Sequence, residues 1–283
     1  MTFPHRTTIV GCGLMGGSLA LALRPHLQHL TLVDSDPANL VLAEPLADAT
    51  STDFQAGVQQ AELVILATPV RVILRLLEQL PQARPQGCFL LDLGSTKQAI
   101  AEAMTVLPPQ FQAIGGHPMC GKTQTGFAAA TPDLYRGRTF VLCPTPRTTP
   151  ESLALAQQIV TWLDARPILL TPAEHDAIVS ATSHLPYLVA ASLMGTVAHA
   201  AATQEHLYPV SAAGLRDTTR LAASDPAMML DILLTNRPAV LARLDELMAQ
   251  LGEIREKLRE GDAAAIQQWL EQRQTERQQY EAK

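Results

Sequence analysis

A β-branched run, Thr7–Val10, stops at Gly11-Cys12-Gly13-Leu14-Met15-Gly16, and a stretch of helical composition, Leu14–Leu23, begins inside the same motif. Strand, G-x-G-x-x-G turn and helix in that order admit few folds. Gly11 makes the tight turn, Gly13 lets a pyrophosphate approach the backbone, and Gly16 lets helix and strand pack closely. Leu14 and Met15 open the helix, whose positive end receives the pyrophosphate. A second apolar strand, Leu30–Val33, ends at Asp34. A carboxylate there hydrogen-bonds the adenosine ribose hydroxyls and repels an added phosphate. The following Ser35-Asp36-Pro37 supplies no arginine for that phosphate. The expected cofactor is therefore NAD, with NADP as the alternative if a loop arginine elsewhere folds in. Thr68-Pro69, at the carboxyl end of the apolar strand Glu62–Thr68, is placed to meet the nicotinamide half.

Beyond the glycine turn the chain keeps alternating. Cys88–Leu93 reads as a further strand, Thr139–Cys143 and Pro167–Leu170 as late ones, with helices near Val70–Gln79 and Thr96–Met104. Continuous apolar strands alternating with helices mean a mostly parallel sheet covered on both faces. The pattern changes at Thr171-Pro172-Ala173-Glu174, a capping box with proline at the first helical position. No convincing strand follows. Ser224-Asp225-Pro226 starts another helix. Pro238 starts a third, with Val240, Leu241, Leu244, Leu247, Met248, Leu251, Ile254 and Leu258 at spacings of three and four. Gly261 ends it, and a polar helix follows. With 283 residues, two domains are expected. Residues 1–170 form an α/β, Rossmann-type doubly wound domain, and residues 171–283 an all-α domain. The leucine stripe packs within the monomer or against a second copy; spacing alone leaves both open.

Charge and cysteines exclude other classes. The formal net charge is −6 with no basic block, so no nucleic-acid partner is expected. Cys12, Cys88, Cys120 and Cys143 form neither a C-x-x-C pair nor a zinc pattern, so no metal is expected. They read as reduced thiols of a cytoplasmic protein. No signal-peptide pattern opens the chain, and no run of about 18 uncharged apolar residues suggests a membrane span.

Four segments look unlike scaffold. Asp92-Leu93-Gly94-Ser95-Thr96-Lys97 places Ser95 and Lys97 at a strand's carboxyl edge, where ligands bind, unless Ser95 only caps a helix. His117, in Gly115-Gly116-His117-Pro118, sits in a tight loop after a short strand, and imidazole is the side chain readiest to take a proton near neutral pH. Ser180, His184 and Tyr187 form one stripe of an otherwise apolar helix, which marks a lined pocket or an internal hydrogen-bond network. His175 is about half a turn out of phase with His184 on a straight helix. Arg216 and Arg220 share a helical face near Asp217, as a carboxylate grip or as a surface ion pair.

Taken together, GCGLMGGSLA, DLGSTK, GGHPMCGKTQTGF, HDAIVSATSHLPY and GLRDTTRLAASDPAMMLDI resemble the prephenate/arogenate dehydrogenase family of tyrosine biosynthesis over roughly residues 8–235. The resemblance implies NAD(P)-dependent oxidative decarboxylation of prephenate to 4-hydroxyphenylpyruvate or of arogenate to tyrosine. It makes His117 the acceptor of the ring hydroxyl proton, with Ser95 hydrogen-bonded to it and to that hydroxyl. Arg220 matches an arginine that holds a substrate carboxylate, and His184 a second active-site histidine. His175 fits the HD motif without a defined role. Thr123 and Gln124, in a loop without acidic residues, and Tyr187, where some relatives have histidine, are the expected substrate contacts that bear on keto against amino acid. The resemblance also implies a homodimer through the helical domain. Only three residues follow Tyr280, so no fused mutase or regulatory domain is expected, and feedback would act at the active site.

Two other readings compete. Many hydroxyacid dehydrogenases of this layout use a lysine in the helical domain, but the first lysine after residue 171 is Lys257. A non-catalytic dinucleotide sensor would bind cofactor without turnover, and would leave His117, His184 and Arg220 without a purpose.

Overall fold

A computed structural model describes residues 3–122 and 124–282. Its strands are β1 (Arg6–Val10), β2 (His29–Val33), β3 (Ala49–Ser51), β4 (Leu63–Leu66), β5 (Phe89–Asp92), β6 (Gln112–Pro118), β7 (Thr139–Pro144) and β8 (Arg166–Leu169). They form one eight-stranded sheet in the order β3-β2-β1-β4-β5-β6-β7-β8. All pairings are parallel except β6 with β7. Among the described residues between those two strands lies only a short 3₁₀ turn, Phe127–Ala129, and no crossover helix that would return the chain for a parallel strand.

Helices α1 (Leu14–Leu23), α2 (Pro37–Ala43), α3 (Phe54–Val58), α4 (Val70–Ala83), α5 (Gln98–Thr105) and α6 (Pro150–Trp162) cover the sheet. One face buries Ile9, Leu19, Leu23, Leu30, Ile65, Phe140 and Ile159; the other buries Val10, Val64, Ile73, Leu77, Leu80, Leu90 and Ile100. Each such side chain contributes about 1.5–3 kcal/mol by leaving water. Helix α4 runs past the expected end at Gln79 and through Pro81, because Val70, Ile73, Leu77, Leu80 and Ala83 continue its buried face. His117 differs from expectation too. It lies inside β6, not in a loop, because antiparallel pairing with β7 carries the strand through His117↔Val141 to Pro118↔Phe140.

After Thr171 the structure is helical: α7 (Pro172–Val179), a π turn (Ser180–His184), α8 (Leu185–Ala201), α9 (Ala213–Thr219), a 3₁₀ turn (Arg220–Ala223), α10 (Pro226–Thr235), α11 (Arg237–Glu260) and α12 (Ala263–Glu281). Thr171 and Glu174 make the expected capping box, and Asp225 caps α10 through the amide of Met228. The chain divides into two compact units after Arg237. The second unit contains α11 and α12, joined by Arg273 donating to Gln250 at 2.9 Å. Along them Leu241, Met248, Leu251, Leu258 and Leu270 are more than half exposed.

One helical segment is longer and more apolar than a search for unbroken apolar runs suggests. Pro172–Ala201 is one continuous 30-residue helical rod with mean hydropathy 1.3 over its most apolar stretch, long and apolar enough to cross a membrane. Its serines, threonines and histidines hide this from a search for unbroken apolar runs. Only 22% of that stretch is buried. The buried side is not lipid-like, since His175, Asp176 and His184 hydrogen-bond there to other parts of the first unit.

Candidate active site

The glycine turn joins β1 to α1 at the centre of the sheet. Gly11 has φ +96°, and a Cβ there would lie 2.7 Å from the carbonyl oxygen of Ala67. At Gly16 a Cβ would fall 1.8 Å from the carbonyl oxygen of Gly11, so helix and turn touch backbone to backbone. Gly13 is different: nothing lies within 4 Å of the Cβ position. It is also the N-cap of α1, with no side-chain cap and no acidic residue in the first turn. Open space above free amides at a helix N-terminus is a cradle for a pyrophosphate. Leu14 and Met15 form the first turn, and Tyr135 donates to the Met15 carbonyl at 2.6 Å.

Asp34 stands beside this turn. Its carboxylate accepts from the Cys12 amide at 2.6 Å and the Asp36 amide at 2.8 Å. One carboxylate oxygen also receives the Asn39 amide at 3.4 Å, while the other holds only the Asp36 amide and keeps a lone pair for a ribose hydroxyl; an added phosphate meets negative charge. Thr68 follows β4, its methyl 2.9 Å from the Gly11 Cβ position and its hydroxyl without a partner among the described residues; Pro69 is exposed beside it. These features fit a dinucleotide such as NAD.

His117 is held on β6, the last strand before the sheet changes direction. Its Nδ1 lies 2.8 Å from Nε2 of His175, and Nδ1 of His175 lies 2.7 Å from the Asp176 carboxylate. A carboxylate only accepts, so His175 keeps its proton on Nδ1. Its Nε2 is then an acceptor, and His117 must donate from Nδ1. That leaves Nε2 of His117 as the free base, with no protein partner among the described residues. Burial depresses the His117 pKa well below the ordinary imidazole value, and the neighbouring His175, Lys97 and His184 push the same way. The ring is neutral at neutral pH and can take a proton.

Asp176 also accepts the amides of Lys97 at 2.7 Å and Gln98 at 2.9 Å. It caps α5 from another segment of the chain. Ser95 therefore caps nothing. It is half-buried and its hydroxyl makes no hydrogen bond among the described residues. Beneath this turn Lys97 pairs with Asp92, both buried, and donates to the Gly116 carbonyl at 2.7 Å. Burial pushes the Asp92 carboxyl up, and the Lys97 ammonium and two backbone amides oppose it. The pair fixes the residue before His117.

The π turn explains His175. Nine residues of straight α-helix separate His175 and His184 by half a turn. A π turn absorbs one extra residue, so the offset falls to about 80° and both rings face inward. His184 is buried, and burial lowers its pKa to about 4, with His175 pushing the same way and Asp176 opposing. Its Nδ1 lies 3.2 Å from the amide nitrogen of Asn236. Ser180, on the same stripe, satisfies itself at the Ala177 carbonyl. Tyr187 is half-buried, and its hydroxyl makes no hydrogen bond among the described residues.

The remaining candidates are less enclosed. Arg220 is exposed and opens the 3₁₀ turn that packs on α8, with no ion pair among the described residues. Arg216 meets only the exposed Asp217, as a surface pair. Gln124 is exposed. Thr123 lies outside the described residues. Lys97, expected at the ligand edge beside Ser95, is instead buried on Asp92, because the carboxylate and the Gly116 carbonyl draw its ammonium inward. Sequence reasoning missed that pairing, Asp176 and Asn236. A lysine five residues after a strand-ending aspartate was the available signal for the pair. Nothing in the sequence marks Asn236 beyond a helix end.

Comparison with known proteins places these features in a family. Residues 19–169 match the family described as prephenate dehydrogenase, nucleotide-binding domain, and residues 171–272 the one described as prephenate dehydrogenase, dimerization domain. A prephenate dehydrogenase of Bacillus subtilis is 36% identical over 265 residues, covering 90% of this chain and 70% of that protein. The crystal structure of prephenate dehydrogenase from A. aeolicus in complex with hydroxyphenyl propionate and NAD+ aligns with TM-score 0.89 at 27% identity, covering 99% of both chains. The structure of Synechocystis arogenate dehydrogenase aligns with TM-score 0.82 at 29% identity, covering 97% of this chain and 99% of that one.

Proposed function

The chain belongs to the prephenate dehydrogenase family, and on that premise we propose that it oxidatively decarboxylates prephenate or arogenate with NAD, using His117 as the base. The single observation that carries this reading is the Asp176–His175–His117 chain of hydrogen bonds, which leaves one unprotonated nitrogen, Nε2 of His117, free for a substrate hydroxyl.

The ring substrate bears a hydroxyl on one carbon and a carboxylate on the opposite one. Bound NAD supplies the hydride acceptor; Gly11, Gly13, Leu14, Met15, Gly16, Asp34, Thr68 and Pro69 would hold it. His117 Nε2 takes the hydroxyl proton as that carbon is oxidised. The positive charge that develops is shared through Nδ1–H with His175, whose other nitrogen faces the Asp176 carboxylate. When the carbon–carboxylate bond breaks, its electron pair enters the ring, carbon dioxide leaves and the ring oxygen becomes a phenolate. His117 returns the proton to it, so acid and base balance. Ser95 offers its free hydroxyl to the reacting oxygen, and Arg220 its unpaired guanidinium to a substrate carboxylate. Tyr187 and Gln124 would complete the substrate contacts.

The functional division proposed is residues 1–170 for the cofactor and 171–283 for substrate and dimerisation, supported by two family matches that meet at residue 170. A homodimer is supported by the match of residues 171–272 to a dimerization domain and by the exposed leucines of α11. The four cysteines are free thiols, which supports a cytoplasmic setting.

One assay tests the proposal. Prephenate and arogenate are each offered with NAD and with NADP, and reduced nicotinamide is followed by absorbance. NAD-dependent turnover of either substrate is expected. Four blanks from folded, cofactor-binding protein would sink it.

A further inference from the structure

Asn236 is buried, 3% exposed, at the C-terminal end of α10. Its amide nitrogen donates to the main-chain carbonyl of Asp176 at 2.8 Å and lies 3.2 Å from Nδ1 of His184. The first contact fixes the amide orientation, because a carbonyl can only accept and the Asn236 oxygen cannot donate. The second hydrogen of the same –NH2 group then points at His184. A donor there requires an unprotonated Nδ1. The neutral ring must therefore carry its proton on Nε2, which has no protein partner among the described residues.

We infer that Asn236 is a positioning residue that locks His184 in the Nε2–H tautomer, so that the ring presents a neutral hydrogen-bond donor to the bound acid. The role as substrate donor rests on the function proposed above; the tautomer lock does not. The charged and titratable groups around His184 are His175 and Asp176 on α7 and His117 on β6, with Arg220 on the 3₁₀ turn packed against α8. Of these only Asp176 favours a cation at His184, and its carboxylate is already occupied by His175 and two amides. A neutral amide on the remaining side leaves the ring uncharged. The same –NH2 group grips the main chain of Asp176, so one side chain sets the geometry of both histidine systems.

The test is nitrogen-15 spectroscopy of the full-length protein with labelled histidine. The His184 signals are assigned by their loss in His184→Gln. The wild type at pH 7 is expected to show a pyrrole-type Nε2 and a pyridine-type Nδ1. Asn236→Asp places an acceptor at Nδ1 and is expected to move the proton there or to charge the ring. Asn236→Ala is expected to give a mixture of tautomers, and a KM raised about tenfold with kcat within about threefold. A wild-type Nδ1–H signature overturns the inference, as does an unchanged signature in Asn236→Ala. If Asn236→Asp does not fold, the wild type and the alanine variant still decide. Expected spectra without turnover of either substrate would overturn the proposed function and leave the tautomer lock standing.

Discussion

His117 and His175 meet nitrogen to nitrogen, Nδ1 to Nε2 at 2.8 Å, and Asp176 on the far side of His175 permits only one direction of donation. His117→Asn keeps a donor at the Nδ1 position and deletes the base. Turnover should fall about 10²–10⁴-fold, the usual worth of a positioned base. Cofactor affinity, measured by fluorescence titration, should stay within about threefold. An unchanged rate would remove His117 from the chemistry.

Asp176→Asn tests the relay and the trans cap together. An amide accepts fewer hydrogen bonds and can donate to His175, which reverses the tautomer order. The cap loss should cost roughly 0.5–2 kcal/mol, read as a drop in melting temperature of a few degrees. The rate should fall by more than that loss explains. A stability change with a normal rate would reduce Asp176 to a scaffold residue.

The two depressed histidines set the acid limb of stability. Their folded pKa values lie below the unfolded value of about 6.5, so the unfolded chain binds more protons as the pH falls through that point. This contribution is fully present above about pH 6.5 and is lost as the pH drops toward the folded values, about 4 for His184. Melting temperatures from pH 8 to 5 should therefore decline, with up to about 1.4 kcal/mol per pH unit from each histidine. His184→Gln should flatten the decline; equal slopes would contradict the assignment. For the reaction, kcat/KM should stay flat down to below pH 6.5 where His117 is rate-determining, since the neutral ring is the active one.

Gly13→Ala and Gly16→Ala should separate binding from folding. A methyl at Gly13 meets open space and should leave melting within about 2 °C while weakening NAD at least tenfold. At Gly16 it strikes the Gly11 carbonyl oxygen and should destabilise the protein outright. Tight NAD binding by Gly13→Ala would contradict the cradle.

Arg220 is exposed and unpaired among the described residues, so Arg220→Ala should leave melting unchanged. Losing a charged hydrogen bond of about 1.5–3 kcal/mol should raise the substrate KM roughly 10–100-fold. An unchanged KM would free Arg220 from the carboxylate.

Where the chemistry is local, the sequence was legible. Leu14–Leu23 is a helix with those bounds, and the capping box at Thr171 and the stop at Gly261 are as read. The missed elements are short or amphipathic only in context: β3 has three residues, and α6 hides its apolar face beside Gln157, Gln158 and Thr161. At the site, His117 stood out because glycines and a proline frame it. The use of His175 did not, because a straight-helix count puts it on the wrong side and no local rule announces a π turn. Asp176 and Asn236 act across 79 and 60 residues of chain, distances over which spacing carries no signal.

Asp176 ends α5 from outside, and this ties assembly to competence. The glycine turn and Asp34, which would hold a nucleotide, precede Pro172 in the chain, whereas the orienting partner of His117 lies on the rod that begins there. A chain whose rod is undocked would hold a nucleotide without being able to abstract a proton. Regaining turnover after dilution from denaturant thus times a docking event, whereas regaining nucleotide affinity times the closure of the sheet, and the two clocks need not agree.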